Sequence, residues 1–453
     1  MTRPQPQATR RIVHVLRRAA GESMRAARAL KELDGVRLLG ICEGADGADA
    51  SEVFDELTYV EDVHDAESLI AAARTLAAKH GAVTQLVTVH ETLLEAVARA
   101  NEALALRGMD VATVRRALDK SQLKRALERA GVGTARDCLV TCDEDARRFA
   151  REAGYPVVLK PLGGSGGLAT WRIRSAEHLE LALALMRPSP ENAVLAEECL
   201  RGQELCIDTI TIADEPRFHS LCLYRPSILE ALEDPRVQWT CLMPRDIGGE
   251  RFRDFIRQGL AAVRALAVGD AMTHMEGFLS EDGTCRFTDA TLRPAGARIG
   301  PMLAFAYDIN PYRAWARAAV DGCFDGPWER RYAVGTIFLR GTGHGTLEQV
   351  GGLEEAKRLA GEFFVDSRLP RVGSAKSSTY TGDGYITVRH AETRVVEEVL
   401  QLIARTVSVT YSEPYAPSPP DDEALAGQWS RRLGHFDMQL NKPAWEDDPP
   451  PSR

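Results

Sequence analysis

Short apolar runs and helical patterns alternate through the first part of the chain. RIVHVL at 11–16, VRLLGICE at 36–43 and TQLVTV at 84–89 read as β-strands, and apolar residues at helical spacing over 23–33 and 66–80 predict helices between them. Alternation of this kind predicts an open parallel sheet. The end of its third strand, 87–91, is then expected to face a cleft, because ligands sit beyond the carboxyl ends of the strands in such sheets. No GxGxxG follows the first strand, which argues against a dinucleotide.

From Asp119 the pattern changes. DKSQLKRALERAGV predicts a helix with Leu123, Leu127 and Ala130 on its apolar face and a stop at Gly131. TARDCLVT predicts a strand, and CDEDARRFAREAGY a helix whose first-turn acids suit the helix dipole. A glycine-rich stretch at 157–173, a helix over 176–186 and the strand AVLAEE follow. Then come TITIA at 209–213, a loop over 227–244, a long helix over 252–266 and the strand pair THMEGFLSEDGTCRFTDATLRP, joined by a turn at 280–283. Residues 332–339, a helix over 353–360, FFVDSRL, GYITVRHA, a helix over 393–407 and SVTY predict a small α+β unit of their own. From Glu413 the chain is rich in proline and acid, which predicts an extended or disordered tail. The expected class is a multidomain combination of α/β and α+β.

Composition narrows the partners. With 453 residues, 44% of them hydrophobic, the chain has room for about three or four units. A net charge of -9 with acids and bases evenly mixed offers no basic field for nucleic acid, and no window approaches 18 consecutive apolar residues. Neither nucleic acid nor a membrane is an expected partner. The opening MTRPQPQATRR leads into a segment broken by charges, unlike a secretory signal. Nine scattered cysteines, with Cys138 and Cys142 forming neither a CxxC pair nor half of a zinc cluster, read as reduced structural thiols. A cytoplasmic protein is expected.

Three pieces carry candidate chemistry. In VVLKPLGGSGGLATWRI, Gly163, Gly164, Ser165, Gly166 and Gly167 would let backbone N–H groups approach an anion, with Lys160 as a point charge. The P-loop consensus is absent, and a flexible turn is the alternative reading. In the hairpin, alternate residues share a face, so His274 and Glu276 point one way and Asp289, Thr291 and Arg293 do likewise on the partner strand. Two acids beside an arginine suit Mg²⁺ with a polyphosphate, and they equally suit a surface ion pair. In VLAEECLRGQELCID, a strand runs into an acidic edge, Gly202 turns the chain and Glu204 follows, an arrangement able to offer backbone groups to adenine and a carboxylate to ribose.

In order and separation these pieces resemble the ATP-grasp superfamily of carboxylate–amine ligases over roughly 119–301. The D-K-x-x-x-K helix start is matched by Asp119, Lys120 and Lys124, the strand ending in K-P before a glycine flap by Lys160, and the hinge E-E-x-L-x-G-x-E by Glu197, Glu198, Cys199, Leu200, Gly202 and Glu204. The resemblance implies that Lys120, Lys160, Gly164, Ser165 and Gly166 contact nucleotide phosphates, that Glu197, Glu198, Cys199 and Leu200 line adenine, and that Glu204 binds ribose. It implies Glu276 and Asp289 as metal ligands for Mg²⁺ or Mn²⁺, with Thr291 standing where many members have asparagine. A hydroxyl is a weaker ligand than an amide carbonyl, so a second metal ion would keep an extra water.

The ending resembles the bacterial L-amino acid ligases, and RPAGARIG is similar to the segment after their metal acids. The implied organisation is an amino-terminal α/β pre-ATP-grasp domain over 1–112, a small lobe with its linker helix over 113–207, a large lobe over 208–328, a carboxyl-terminal α+β domain over 329–412 and a tail over 413–453. The implied reaction is ATP-dependent phosphorylation of a carboxylate followed by attack of an amine, with release of ADP. Arg293 would steady the acyl phosphate, and Gly296, Arg298 and His274 would contact the amino acid or carboxylate substrate. For His274 a structural role is the alternative, for Arg298 a solvated surface position, for His90 and Glu91 a helix start, and for Trp171 packing. A homodimer is compatible with the family. The rival readings are a biotin-dependent carboxylase, which lacks support from any biotinylation-type segment, and a nucleotide-binding regulator without turnover.

Overall fold

The computed structural model describes residues 9–44, 50–163, 167, 169–377 and 379–413, with Leu425, Gly427, Trp429, Ser430 and Leu433 beyond them. The strand that opens the chain, β1 (Arg10–Leu16), is buried over its last five residues, as befits a strand covered on both faces. It pairs in parallel with β2 (Val36–Cys42) on one side and with β4 (Gln85–Val87) on the other, while β3 (Glu56–Tyr59) extends the sheet in the order β3-β2-β1-β4. The short, half-exposed β3 carries too little apolar pattern to be read in the sequence. The first helix spans Gly21–Lys31 and the second long one Ala66–His80, capped by Asp65.

The small lobe is an antiparallel sheet of β5 (Asp137–Val140), β6 (Val157–Pro161), β7 (Trp171–Ile173) and β8 (Val194–Glu198), ordered β5-β8-β6-β7. Helices Asp143–Ala153 and Ala176–Met186 bury their apolar faces on it, around Leu159, Phe149 and Trp171. Most of the tail lies outside the described residues, but those described in it depart from the expected extended chain. Leu425, Trp429 and Leu433 pack on this lobe, and the Trp429 ring stacks on Trp171 at 4.9 Å and 3°. Their spacing of four is that of one helix face, an apolar period set within a polar composition.

The large sheet has eight strands: β9 (Gln203–Ile212), β10 (Glu215–Arg225), β11 (Trp239–Met243), β12 (Ala271–Leu279), β13 (Cys285–Thr291), β14 (Ala333–Leu339), and, after β15 (His344–Gly351), β16 (Phe364–Arg368) and β17 (Gly384–His390). Their order is β13-β12-β9-β10-β11-β14-β17-β16, and β15 pairs instead with β18 (Ser408–Glu413). Helix Glu250–Leu266 covers one face, with Phe255 stacked on Phe287 at 4.7 Å. Helix Ile299–Tyr307 packs in the core on the other side.

Two expectations differ here. The stretch 227–244 is not a loop: it holds helix Ile228–Glu233, with a capping box between Ser227 and Glu230, and strand β11, buried except at Thr240. The carboxyl-terminal strands β14, β16 and β17 also continue the large-lobe sheet, so a division at 328/329 separates strands of one sheet, and one at 207/208 falls inside β9. Apolar runs report that strands exist, not which strands pair. Among the described residues no helix is long and apolar enough to cross a membrane. All nine cysteines are free.

Candidate active site

Lys120 opens helix Lys120–Arg129, whose N-cap Asp119 accepts a hydrogen bond from the Gln122 N–H. The Lys120 backbone N–H donates to the Leu162 carbonyl at 3.1 Å, which ties the helix start to the base of the glycine stretch. Its Nζ lies 2.6 Å from Asp289 Oδ1. Lys160, the last residue but one of β6, places Nζ 2.8 Å from Glu197 Oε2 and 3.6 Å from Asp289 Oδ2. One helical turn after Lys120, Lys124 lies 2.8 Å from the other Glu197 oxygen and donates to the Ala135 carbonyl at 2.8 Å. Burial opposes the charge of Lys160, but Glu197 and Asp289 outweigh it and raise its pKa. Burial likewise opposes the charges of Glu197 and Asp289, and the surrounding lysines outweigh it and hold both carboxyls low. These are buried ions kept charged by one another; removing one strands its partners.

The acidic end comes from the β12–β13 hairpin, closed by the Ser280–Gly283 turn. Register sets His274 opposite Thr291 and Glu276 opposite Asp289, so all four share one face. His274 Nε2 is 3.2 Å from Glu276 Oε1, and the Tyr224 hydroxyl donates to the same oxygen at 3.3 Å. His274 Nδ1 is 3.0 Å from Asp208, and although burial works against its charge, that carboxylate lifts the imidazole well above its ordinary range. The buried Thr291 hydroxyl has no hydrogen-bond partner among the described residues.

At the hinge, Glu197 turns its side chain to the lysines and Glu198 turns its own to Arg136, accepting from its N–H at 2.9 Å. The backbone at these two positions is engaged as well: β8 lies between β5 and β6, and the Glu198 N–H donates to the Arg136 carbonyl at 3.0 Å. Cys199 and Leu200 line a cavity of about 530 Å³ with Tyr155, Arg172, Arg174 and Arg201. Glu204 accepts from the Ile228 N–H at 2.7 Å; burial, then the Glu276 charge, push its carboxyl up to about 8. Gly202, at φ 124°, sits where a Cβ would meet the Leu279 carbonyl at 2.4 Å, a close approach that requires glycine. Gly164, Ser165 and Gly166 lie outside the described residues.

Arg293 is buried, with its guanidinium 2.8 Å from Glu91 and donating to the Pro294 carbonyl at 2.7 Å. Glu91 and its neighbour His90, which contacts Ser23 Oγ at 2.5 Å, follow the edge strand β4 of the first sheet, so that edge reaches Arg293. Arg298 is drawn elsewhere: it pairs with Asp366 and lies over the Tyr385 ring at 4.2 Å. Gly296 has open space where a Cβ would stand. Trp171 is packing, fully buried beneath Trp429.

The structure thus gathers Lys120, Lys160, Glu197, Glu276, Asp289, Thr291 and His274 in one place and sends Arg298 to another. Sequence reading missed Asp208, Tyr224 and Tyr380. The last comes from the loop before β17, and its ring meets Trp239 at 4.7 Å in the neighbourhood of Glu276, Glu204 and Arg293. Only strand register brings Asp208 and Tyr224 to the site, and the sequence signals neither. The residues present fit a divalent cation with a polyphosphate. Lysines and acids now neutralise one another in the same cleft, a cation would take the acids as a polyphosphate took the lysines, and the orphaned Thr291 hydroxyl stands beside them.

Residues 119–205 match the family model for the carbamoyl-phosphate synthase L chain, ATP-binding domain. The chain is 22% identical to an L-arginine-specific L-amino acid ligase of Bacillus subtilis over 55% of this chain and 60% of that one. It is 24% identical to an alanine–anticapsin ligase of the same organism over 51% and 52%. The chain therefore spans between about half and 60% of the length of these curated relatives. The crystal structure of an L-amino acid ligase from Bacillus licheniformis superposes with a TM-score of 0.71 at 18% identity, covering 90% of this chain and 100% of that one. With an ATP-binding domain matched over the two lysines and the hinge, and an ATP-grasp fold shared over 90% of the chain, the protein is similar to bacterial L-amino acid ligases.

Proposed function

We propose that the protein is an ATP-dependent carboxylate–amine ligase that joins an amino acid carboxylate to an amine through an acyl phosphate, releasing ADP and phosphate. The observation that carries this reading is the meeting of Lys120 and Lys160 on Asp289, directly across the hairpin from Glu276. Glu276 and Asp289, with Thr291 beside them, would hold Mg²⁺, whose chemistry is to shield phosphate charge and polarise the transferred group. Lys120 and Lys160, released from their acids, neutralise the polyphosphate. Cys199 and Leu200, just past the end of β8, and the Glu204 carboxyl would face the nucleoside.

Arg293 is oriented by Glu91 and steadies the acyl phosphate and the oxyanion that forms as the amine attacks, through charge fixed in place before the reaction. The amine nitrogen attacks the acyl carbon, the C–O bond to phosphate breaks, and the amine proton leaves to solvent or to phosphate. The similarity to amino acid ligases supports an amino acid as one substrate. The test is phosphate and ADP release from Mg²⁺-ATP in the presence of pools of amino acids, with mass spectrometry of the products. Amino-acid-dependent ADP formation with a new amide is expected; AMP formation, or ATP binding without turnover on any pair, would overturn the reading.

A further inference from the structure

Asp208 is wholly buried, 0% exposed, on the inner strand β9, and the mechanism above makes no use of it. Register sets it beside His274 on β12. Its Oδ1 is 3.0 Å from His274 Nδ1, and His274 Nε2 is in turn 3.2 Å from Glu276 Oε1. A carboxylate only accepts, so an imidazole wedged between two of them donates from both nitrogens. Glu276 Oε1 also accepts from Tyr224 at 3.3 Å. Both donors therefore converge on one oxygen of Glu276 and leave the other free of them. The terminal torsion of a glutamate is broad, and an isolated Glu276 would swing. Two donors on one side pin it.

Resting on the metal-site reading of Glu276 and Asp289, we propose that Asp208 and His274 are positioning residues: Asp208 fixes the His274 ring, and the ring fixes Glu276 so that Oε2 is presented to a divalent cation shared with Asp289. A buried carboxylate without a partner is strongly unfavourable, so Asp208 depends on the imidazole beside it. Outer partners of this kind typically alter metal affinity about 10–100-fold.

The test uses the full chain with ADP and Mn²⁺ as the probe, reading free Mn²⁺ by electron paramagnetic resonance. Asp208→Asn and His274→Asn should weaken ADP-dependent Mn²⁺ binding about 10–100-fold while ADP binding without metal is unchanged. His274→Gln, which still reaches Glu276, should retain more affinity than His274→Asn. Melting temperatures without metal report folding; should Asp208→Asn fail to fold, His274→Asn and His274→Gln carry the comparison. Parent-like Mn²⁺ binding in both Asn variants overturns the inference, as does equal loss of metal-free ADP binding. So does one equivalent of zinc in the purified protein that Cys206→Ala removes, because Cys206, Asp208 and His274 offer atoms within 4.8 Å of one another and would then be its ligands. Glu276→Gln separates the two readings. If it too binds Mn²⁺ normally, the metal-site reading falls; if it alone abolishes binding, only the positioning role falls.

Discussion

Arg293 and Arg298 lie in one short segment after the hairpin, and each pairs with a carboxylate from a distant part of the chain. Arg293 takes Glu91 from the edge of the first sheet, beside a group of acids whose charges crowd one another. Arg298 takes Asp366 from β16 and stacks on Tyr385 of β17. Its backbone is held at φ 65°, after Ala297 at φ 48°, conformations that side-chain-bearing residues adopt only when their surroundings enforce them. The first arginine is held by an acid and a backbone carbonyl, and the second is clamped by backbone, ring and acid at once. Neighbourhood in sequence says little about which arginine faces a reaction; the charge around each says more.

The deepest cut should come at the first. Arg293→Met is expected to lower ADP formation about 10²–10³-fold at saturating substrates, with the nucleotide-induced rise in melting temperature preserved. Arg298→Met, whose contacts with Asp366 and Tyr385 lie apart from the gathered site, should change kcat and KM by less than about tenfold, under about 1.4 kcal/mol. Steady-state kinetics with both substrates varied separates the two; an equal fall in kcat for both variants would erase the distinction drawn here.

The smallest effect is a slope. An ordinary glutamate titrates near 4.5 and Glu204 at about 8, so between those values the folded state holds the additional proton. Stability should therefore be lost as pH rises from about 4.5 to 8 in the nucleotide-free protein. Glu204→Gln should flatten that part of a melting-temperature profile. An unchanged profile would mean that the acids near Arg293 do not crowd as described.

Much of this arrangement was legible because motif residues sit at fixed offsets on single elements: Lys120 at a helix start, Lys160 in a strand, Glu276 and Asp289 across a hairpin. What escaped is set by pairing between strands remote in sequence. Asp208 meets His274, and Tyr224 meets Glu276, only because β9 lies between β12 and β10. Strand β11 was hidden for a related reason: nearly buried throughout, WTCLM shows no alternation. Helix Ile228–Glu233 did carry a sign, the Ser227 to Glu230 box, obscured by the prolines around it.

The stacked indoles of Trp171 and Trp429 carry a practical corollary. Trp171 begins the strand that leaves the glycine stretch, and Trp429 lies on the same lobe, so two of the six tryptophans form an optical reporter on the small lobe. Emission changes on adding nucleotide should track that lobe before any product appears. A chain shortened ahead of Trp429 would lose that reporter and bare the Trp171 ring beneath it.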